Sequence, residues 1–247
     1  MLATHFGLAA SFAANALLST VTTALALWKL PETVGMHQSG ERRSALPLRE
    51  QVALLRSTPG FAAVGFVSFS LVFTRTGSLF NVVPLDAEQR LGLGPDQIGL
   101  ALGFVSLLGL ALAWPSGVLA DRFGRKVVIV GPTMVAGAAM LLFGAATSWP
   151  AFAAAPAVWA AAVGIGGSVP TAYAADIAPR GMTAAALGAF RTLADVGYVA
   201  GPLALGIVAG AASPRAAYAA AAAMTTTAAL VFARQAPETL GRPESGG

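Results

Sequence analysis

The chain of 247 residues contains no cysteine and two histidines, His5 and His37. Disulfides, thiolate metal sites and cysteine nucleophiles are therefore excluded, and an imidazole-rich metal centre is not expected. Charge is the second scarcity: charged residues make up 11% of the chain, against about 25% in an average soluble domain. That is too little to coat a soluble globule of this length. No H-E-x-x-H, G-x-S-x-G or phosphate-binding G-x-x-x-x-G-K-S/T pattern occurs, so a metalloprotease, a serine hydrolase and an ATP-driven pump find no support. What is present is apolar: 56% hydrophobic residues and a mean hydropathy of +0.70. A sequence pI of about 10.1 would point to nucleic acid in a soluble protein. Here it is read as basic residues gathered on the cytoplasmic side of a membrane protein. No nucleic-acid partner and no cofactor are expected; the lipid bilayer is.

A helix needs about 20 mostly apolar residues to cross a bilayer. Runs of that kind place seven helices at about 6–28, 60–83, 97–117, 127–147, 151–174, 184–210 and 214–234. The uncharged stretch Val127–Ala175 would extend roughly 74 Å as one helix. It must fold back, and Ser148-Trp149-Pro150 is the turn signal. The runs lack the alternation of membrane β-strands. The expected fold is an all-α, multi-pass integral membrane bundle. Small residues at four-residue spacing, Gly99/Gly103, Gly197/Gly201 and Gly206/Gly210, provide for close helix approach. The first run has a signal-peptide alternative with a cleavage-like Ala24-Leu25-Ala26. No Lys or Arg precedes it, which argues for a span.

Lys and Arg set the orientation. With seven crossings, Lys29, Arg42, Arg43, Arg49, Arg56, Arg122, Arg125, Lys126, Arg180, Arg234 and Arg242 share one side, while Arg90 and Arg215 take the other. The first side is expected to be cytoplasmic, with the C-terminus, in a plasma or inner membrane. Met36–Thr58 is the longest polar stretch and reads as a cytoplasmic connection carrying a short surface helix. An echo frames the last six helices: Pro31-Glu32-Thr33-Val34-Gly35 after the first span, and Pro237-Glu238-Thr239-Leu240-Gly241 after the last. Transporters are often built from repeats whose ends correspond.

Between the third and fourth spans the chain reads Gly117-Val118-Leu119-Ala120-Asp121-Arg122-Phe123-Gly124-Arg125-Lys126. Gly124 allows a tight turn at positive φ. Asp121 stands beside three cations, where it can pair with them or with a helix N-terminus; the plainer reading is a basic loop that sets topology. This stretch resembles the cytoplasmic-loop signature of the major facilitator superfamily, G-x-L-A-D-R-x-G-R-K/R. The P-E-T echo is similar to that family's ends of helices 6 and 12, and Arg191, Asp195, Gly197, Gly201, Pro202 and Gly206 are similar to its helix 11. The resemblance implies helices 6–12 of a twelve-helix transporter. On that basis residues 1–30 would be the last helix of an N-terminal half, 31–58 the central loop, 59–236 a six-helix bundle and 237–247 a tail. It also implies a conformational-gating role for Gly117, Asp121, Arg122, Gly124, Arg125 and Lys126.

Ionisable groups inside spans are costly and mark function by default. Arg75, Arg191 and Asp195 are the candidates, with Asp195 reachable from Arg75 on another helix or from Arg191 one turn away. The pair reads either as a coupling carboxylate or as a fixed ion pair that sets packing. Ser70, Thr74, Ser78 and Asn81 form a stripe on one helix face. The resemblance makes it substrate-facing, and interhelical hydrogen bonding is the equal alternative. Tyr173 lies in a Gly- and Pro-rich helix that could bend or line the cavity. The implied function is secondary transport of a small solute, proton-coupled. It is closer to the efflux branches than to the sugar porters, whose Q-Q-x-x-G-x-N run is missing. The alternative is a truncated or split membrane subunit without transport activity alone, which needs a separate N-terminal half or a second copy as partner.

Overall fold

The computed structural model of the protein describes residues 2–29 and 47–239. The chain divides into two compact units, Met1–Pro47 and Leu48–Gly247. In the first, the described part is one 28-residue helix, α1 (Leu2–Lys29), ending on a basic residue. The expected span 6–28 lies within it. Thr20, Thr22 and Thr23 donate their hydroxyls to the carbonyls of Ala16, Leu18 and Ser19, at 2.8, 2.8 and 2.9 Å. Such back-bonding satisfies these hydroxyls within the helix itself. The first copy of the P-E-T echo, Glu41, Arg42 and Arg43, and the segment 240–247 with Arg242, lie outside the described residues.

The second unit opens with α2 (Leu48–Ser57), the surface helix expected in the 36–58 connection. Then come α3 (Phe61–Thr74), a π-helical segment (Arg75–Val82) and α4 (Val83–Leu91), which run on as one 31-residue helix, Phe61–Leu91. They are followed by α5 (Pro95–Phe123), α6 (Arg125–Ala145), α7 (Trp149–Gly166), α8 (Val169–Asp176), α9 (Thr183–Ala211) and α10 (Pro214–Gln235). The described residues contain no strand. Six of their helices are long and apolar enough to cross a membrane: Phe61–Leu91, Pro95–Phe123, Arg125–Ala145, Trp149–Asp176, Thr183–Ala211 and Pro214–Gln235. The break expected at Ser148-Trp149-Pro150 separates α6 from α7.

Two spans run longer than the charge pattern indicates. Phe61–Leu91 runs on past 83 and through Pro84; inside a bundle, neighbouring helices and local π adjustment accommodate the missing N–H. Thr74, Asn81, Asp86 and Arg90 on this span find partners inside the bundle, as described below. α5 continues past 117 to Phe123, so most of the loop signature is helical. The connection to α6 is Gly124 alone, at φ 92°, a conformation that disfavours any side chain.

The main packing pairs are α6 with α10, α5 with α7, α3 with α9, and α6 with α7. Phe143, Phe152, Trp159, Met140 and Tyr218 fill one end of the core. Tyr173, Phe232, Ile129, Val64 and Val67 fill the other. α3 and α9 meet backbone to backbone: a Cβ added at Gly201 would come within 2.3 Å of the Phe73 carbonyl, and one at Gly197 within 2.5 Å of that of Phe69. Gly99 and Gly103, by contrast, face open space. The two apolar spans with least cover are α5, with 11% of its apolar stretch buried, and α9, with 22%, against 61% in Phe61–Leu91. Leu107, Leu110 and Trp114 on α5 and Val199, Leu203 and Ile207 on α9 stand exposed.

Candidate functional site

Two cavities open midway along the bundle, where two helices depart from regular geometry. One, of about 360 Å³, is lined by Ser68, Val72 and Arg75, by Trp159 and Val163 of α7, by Gly167, Pro170 and Thr171 at the α7–α8 junction, and by Phe190, Arg191 and Ala194 of α9. The other, of about 190 Å³, is lined by Arg75, Leu79 and Phe80, by Leu102, Val105 and Ser106 of α5, and by Trp159 and Val163 again. Arg75 opens the π segment, a distortion that often marks a functional position. On the far wall, α7 and α8 are interrupted at Gly167-Ser168, and Ser168 is tied to Ser116 of α5 by a 3.0 Å hydroxyl–hydroxyl bond. α5 and α9, the least covered spans, each form a wall.

The charges at this level are arranged unequally. Arg191 and Asp195 form an ion pair one turn apart on α9, 3.1 Å between Nε and Oδ1, with both side chains more than half exposed. Arg75 is not in that pair. Its guanidinium lies 5.9 Å from the centroid of the Phe80 ring, and no described carboxylate is within salt-bridge distance of it.

At the end of the bundle that carries the loop signature, Asp121 and Arg122 occupy the last turn of α5 and are exposed, with Arg122 stacked over Phe123 at 5.5 Å. Arg125 pairs with Asp176, the last residue of α8, at 2.8 Å. The second P-E-T copy folds back onto this turn. The backbone N–H groups of Arg125 and Lys126 donate to the two carboxylate oxygens of Glu238 at 3.1 and 3.2 Å, so Glu238 caps the positive end of α6. A Cβ on Gly124 would sit 2.7 Å from that carboxylate. Tyr173 donates its hydroxyl to the Pro237 carbonyl at 2.8 Å and meets Phe232 edge-on at 5.0 Å.

The opposite end is closed by a second polar cluster. Asp86, 5% exposed, accepts from Arg90 Nε at 3.0 Å and Nη2 at 2.8 Å, and from the Tyr218 hydroxyl of α10 at 3.1 Å. Arg90 also donates to the carbonyls of Phe143, at 3.0 Å, and of Ala146. One carboxylate thus joins α4 to α10, and its partner arginine joins both to the end of α6. No group of three or more His, Cys, Asp or Glu suited to a metal occurs among the described residues.

The family model of the Major Facilitator Superfamily matches residues 64–247. The chain belongs to the major facilitator superfamily. It is 35% identical over 145 residues, 54% of its length and 35% of the relative's, to the multidrug resistance protein MdtG of Escherichia fergusonii. It is 37% identical over 68 residues, 26% of its length and 17% of the relative's, to an uncharacterized transporter of Buchnera aphidicola subsp. Schizaphis graminum. Its fold is similar to the crystal structure of the human organic anion transporter MFSD10 (TETRAN), with a TM-score of 0.64 at 18% identity, covering 70% of this chain and 40% of that one. The chain therefore spans about a third or less of the two curated relatives. The six spans form a multi-pass membrane bundle, half of a superfamily fold.

Within that fold the sequence-derived candidates fall into three groups. Gly124, Arg125 and Lys126 meet Glu238 at the turn, while Gly117, Asp121 and Arg122 lie on α5, with open space around Gly117. Arg75 and Arg191 share the larger cavity, with Asp195 beside Arg191. The stripe Ser70, Thr74, Ser78 and Asn81 does not line either cavity. Ser70, Thr74 and Ser78 are fully buried. Thr74 bonds to Thr225 of α10 at 2.9 Å, and Asn81 donates to the Pro202 carbonyl of α9 at 3.3 Å. Thr74 and Asn81 thus tie this helix to α10 and α9, Ser70 bonds back to the Val67 carbonyl of its own helix at 2.9 Å, and Ser68, Val72 and Arg75 supply the cavity side of the same helix. Tyr173 lies in the core below the P-E-T turn, away from the cavities. Asp86, Arg90, Tyr218 and Asp176 escaped sequence reasoning. The signal available was the Asp-x-x-x-Arg spacing of residues 86 and 90, which suits one turn of helix.

Proposed function

We propose that this bundle is the C-terminal half of a proton-coupled secondary transporter that exports a small solute from the cytoplasm. The solute would bind in the adjoining cavities between Phe61–Leu91, α5, α7–α8 and α9. The single observation that carries the reading is the position of the two adjoining cavities: they lie at mid-span, meet at Arg75, and are walled one by α9 with Arg191 and the other by α5, the two apolar spans left uncovered. A second six-helix bundle on α5 and α9 would close the pathway, and rocking of the two bundles would expose the site to each side in turn. The bundle alone would not transport. The second bundle could be a matching N-terminal half or another copy of this chain, and the two give different assembly states.

Asp195 is assigned as the coupling carboxylate. It pairs with Arg191 one turn away, and its exposure toward the uncovered side lets a proton reach it. The Gly124 turn, with Asp121 exposed and Glu238 capping α6, would hold one conformation on the cytoplasmic side, where the C-terminus also lies, in a plasma or inner membrane. The name of MdtG, a multidrug resistance protein, supports export over uptake.

The test is dye transport into everted membrane vesicles from cells expressing the chain with a matching six-helix bundle. Ethidium and fluorescein serve as cationic and anionic probes. The expected result is proton-gradient-dependent accumulation of at least one dye, lost in Asp195→Asn. Accumulation of neither dye, or accumulation unaffected by collapsing the gradient, would overturn the reading.

A further inference from the structure

We propose that the cavity selects small aromatic monoanions, carboxylates or sulfonates, with Arg75 as the residue that reads their charge. The inference rests on the transport reading above and adds the sign and shape of the solute.

Arg75 is the fifteenth residue of the 31-residue helix Phe61–Leu91, roughly 21 Å from the Phe61 end at 1.5 Å per residue. It is therefore near the middle of the span, where a cation is costly and needs compensation. The larger cavity holds two arginines. Arg191 is compensated on its own helix by Asp195 at 3.1 Å. Arg75 has only the face of Phe80 and no carboxylate in reach among the described residues. The cavity walls thus carry one net positive charge, and that charge sits where both cavities meet, because Arg75 lines each of them. A guanidinium offers a planar fork of donors that matches the two oxygens of a carboxylate or sulfonate.

The rest of the lining fixes the shape. Phe80, more than half exposed, offers an aromatic face, and the buried Trp159 and Phe190 back the cavities. Ser68, Thr171 and Ser106 provide hydroxyls at separate points. The larger volume, about 360 Å³, falls within the range of small-molecule sites, and the smaller, about 190 Å³, adjoins it at Arg75. A planar anion with its charge on Arg75 and its ring against the exposed face of Phe80 would satisfy both. A cation would meet Arg75 with no anionic group opposite it. The π geometry at Arg75–Val82 sets this register, placing Arg75 and Phe80 toward the cavities while Thr76, Gly77 and Ser78 are buried among the helices.

The experiment is calorimetric titration of the purified full chain in phosphatidylcholine nanodiscs. The probes are naphthalene-2-sulfonate and 2-naphthylmethylammonium, which share a ring system and differ in charge. The unaltered protein should bind the sulfonate at least about tenfold more tightly than the ammonium, the ratio that a single charge-assisted contact supplies. Arg75→Gln should weaken the sulfonate by about tenfold or more and leave the ammonium unchanged or tighter. Arg75→Lys should keep most of the preference. Arg234→Gln, which removes an exposed charge at the end of α10, should keep all of it. Equal or tighter binding of the ammonium overturns the proposal while leaving the transport reading standing. So does an Arg75→Gln protein that keeps the sulfonate affinity within about twofold. Binding of neither probe also overturns the proposal, while the dye-transport experiment decides the transport reading. If Arg75→Gln does not insert, the sulfonate-to-ammonium ratio of the unaltered chain and the Arg75→Lys titration decide the matter.

Discussion

Replacing Asp86 by Ala should destabilise the bundle far more than its place near a chain turn would indicate. In the structure Asp86 is buried, and its carboxylate is the shared acceptor of Arg90 and Tyr218. Removing it strands a largely buried guanidinium and a phenol hydroxyl at once. Breaking a buried pair by deleting one partner costs about 3–5 kcal/mol. An exposed i,i+4 pair of the same composition is worth at most about 1 kcal/mol. For a unit of this size each kcal/mol moves the midpoint by roughly 2–4 °C. Asp86→Ala should therefore lower Tm by roughly 6–20 °C, against roughly 4 °C or less for a surface pair. Tyr218→Phe removes one bond to a charged acceptor and should cost about 1.5–3 kcal/mol. It should also cost little more in an Asp86→Ala background, because the two variants share the lost contact. The assay is loss of the monodisperse gel-filtration peak after heating in detergent, run on the single variants and the double variant. An Asp86→Ala protein within about 2 °C of the parent, or full additivity with Tyr218→Phe, would refute the buried-cluster account.

Glu238→Ala should release the α6 N-terminus and cost about 1 kcal/mol, or roughly 2–4 °C in the same assay; no change would mean that the P-E-T turn does not hold the motif. Gly201→Val places side-chain atoms where even a Cβ would be 2.3 Å from the Phe73 carbonyl, so it should abolish the monodisperse peak, whereas Gly99→Ala should leave the isolated chain within about 0.5 kcal/mol of the parent. Asp195→Asn removes an exposed pair and should shift stability by less than about 1 kcal/mol while abolishing gradient-driven dye accumulation; a large stability loss would instead mark the pair as structural. A cysteine placed at Phe123, in a chain with no other cysteine, should resist membrane-impermeant maleimide in intact cells and react in everted vesicles, and labelling from outside would reverse the orientation.

The parts of the fold legible in the sequence are those set by solvation. Uncharged runs of sufficient length have to cross, and the turn at Ser148-Trp149-Pro150 is where the longest one folds back. Hidden were the places where polar groups satisfy one another. Asp86 and Arg90 read as a loop because each is charged, yet one turn of helix and a facing tyrosine let them be buried. Asp121 and Arg122 also read as loop, and they are the last turn of α5 because Gly124 alone makes the bend. At the candidate site, Arg75, Arg191 and Asp195 were visible as charges within apolar runs. Which cation faces Asp195 was not visible, because it depends on helix rotation. The stripe Ser70, Thr74, Ser78 and Asn81 shows the same limit: in a helix surrounded by neighbours, a polar face can turn toward a cavity or toward α9 and α10. The π segment, which changes the residues per turn, puts that choice beyond any fixed periodicity.

The central claim is that this bundle forms a transport pathway only against a second one. Its most direct test is reconstitution of the purified chain into proteoliposomes, alone and after co-expression with a matching six-helix bundle, with fluorescein and ethidium efflux followed under an imposed proton gradient. The account predicts no saturable, gradient-driven flux from monomeric chain alone, and saturable flux once the second bundle is present. Gradient-driven flux from the monomer would contradict it, and flux from a tight homodimer would show that two copies of this chain supply both bundles.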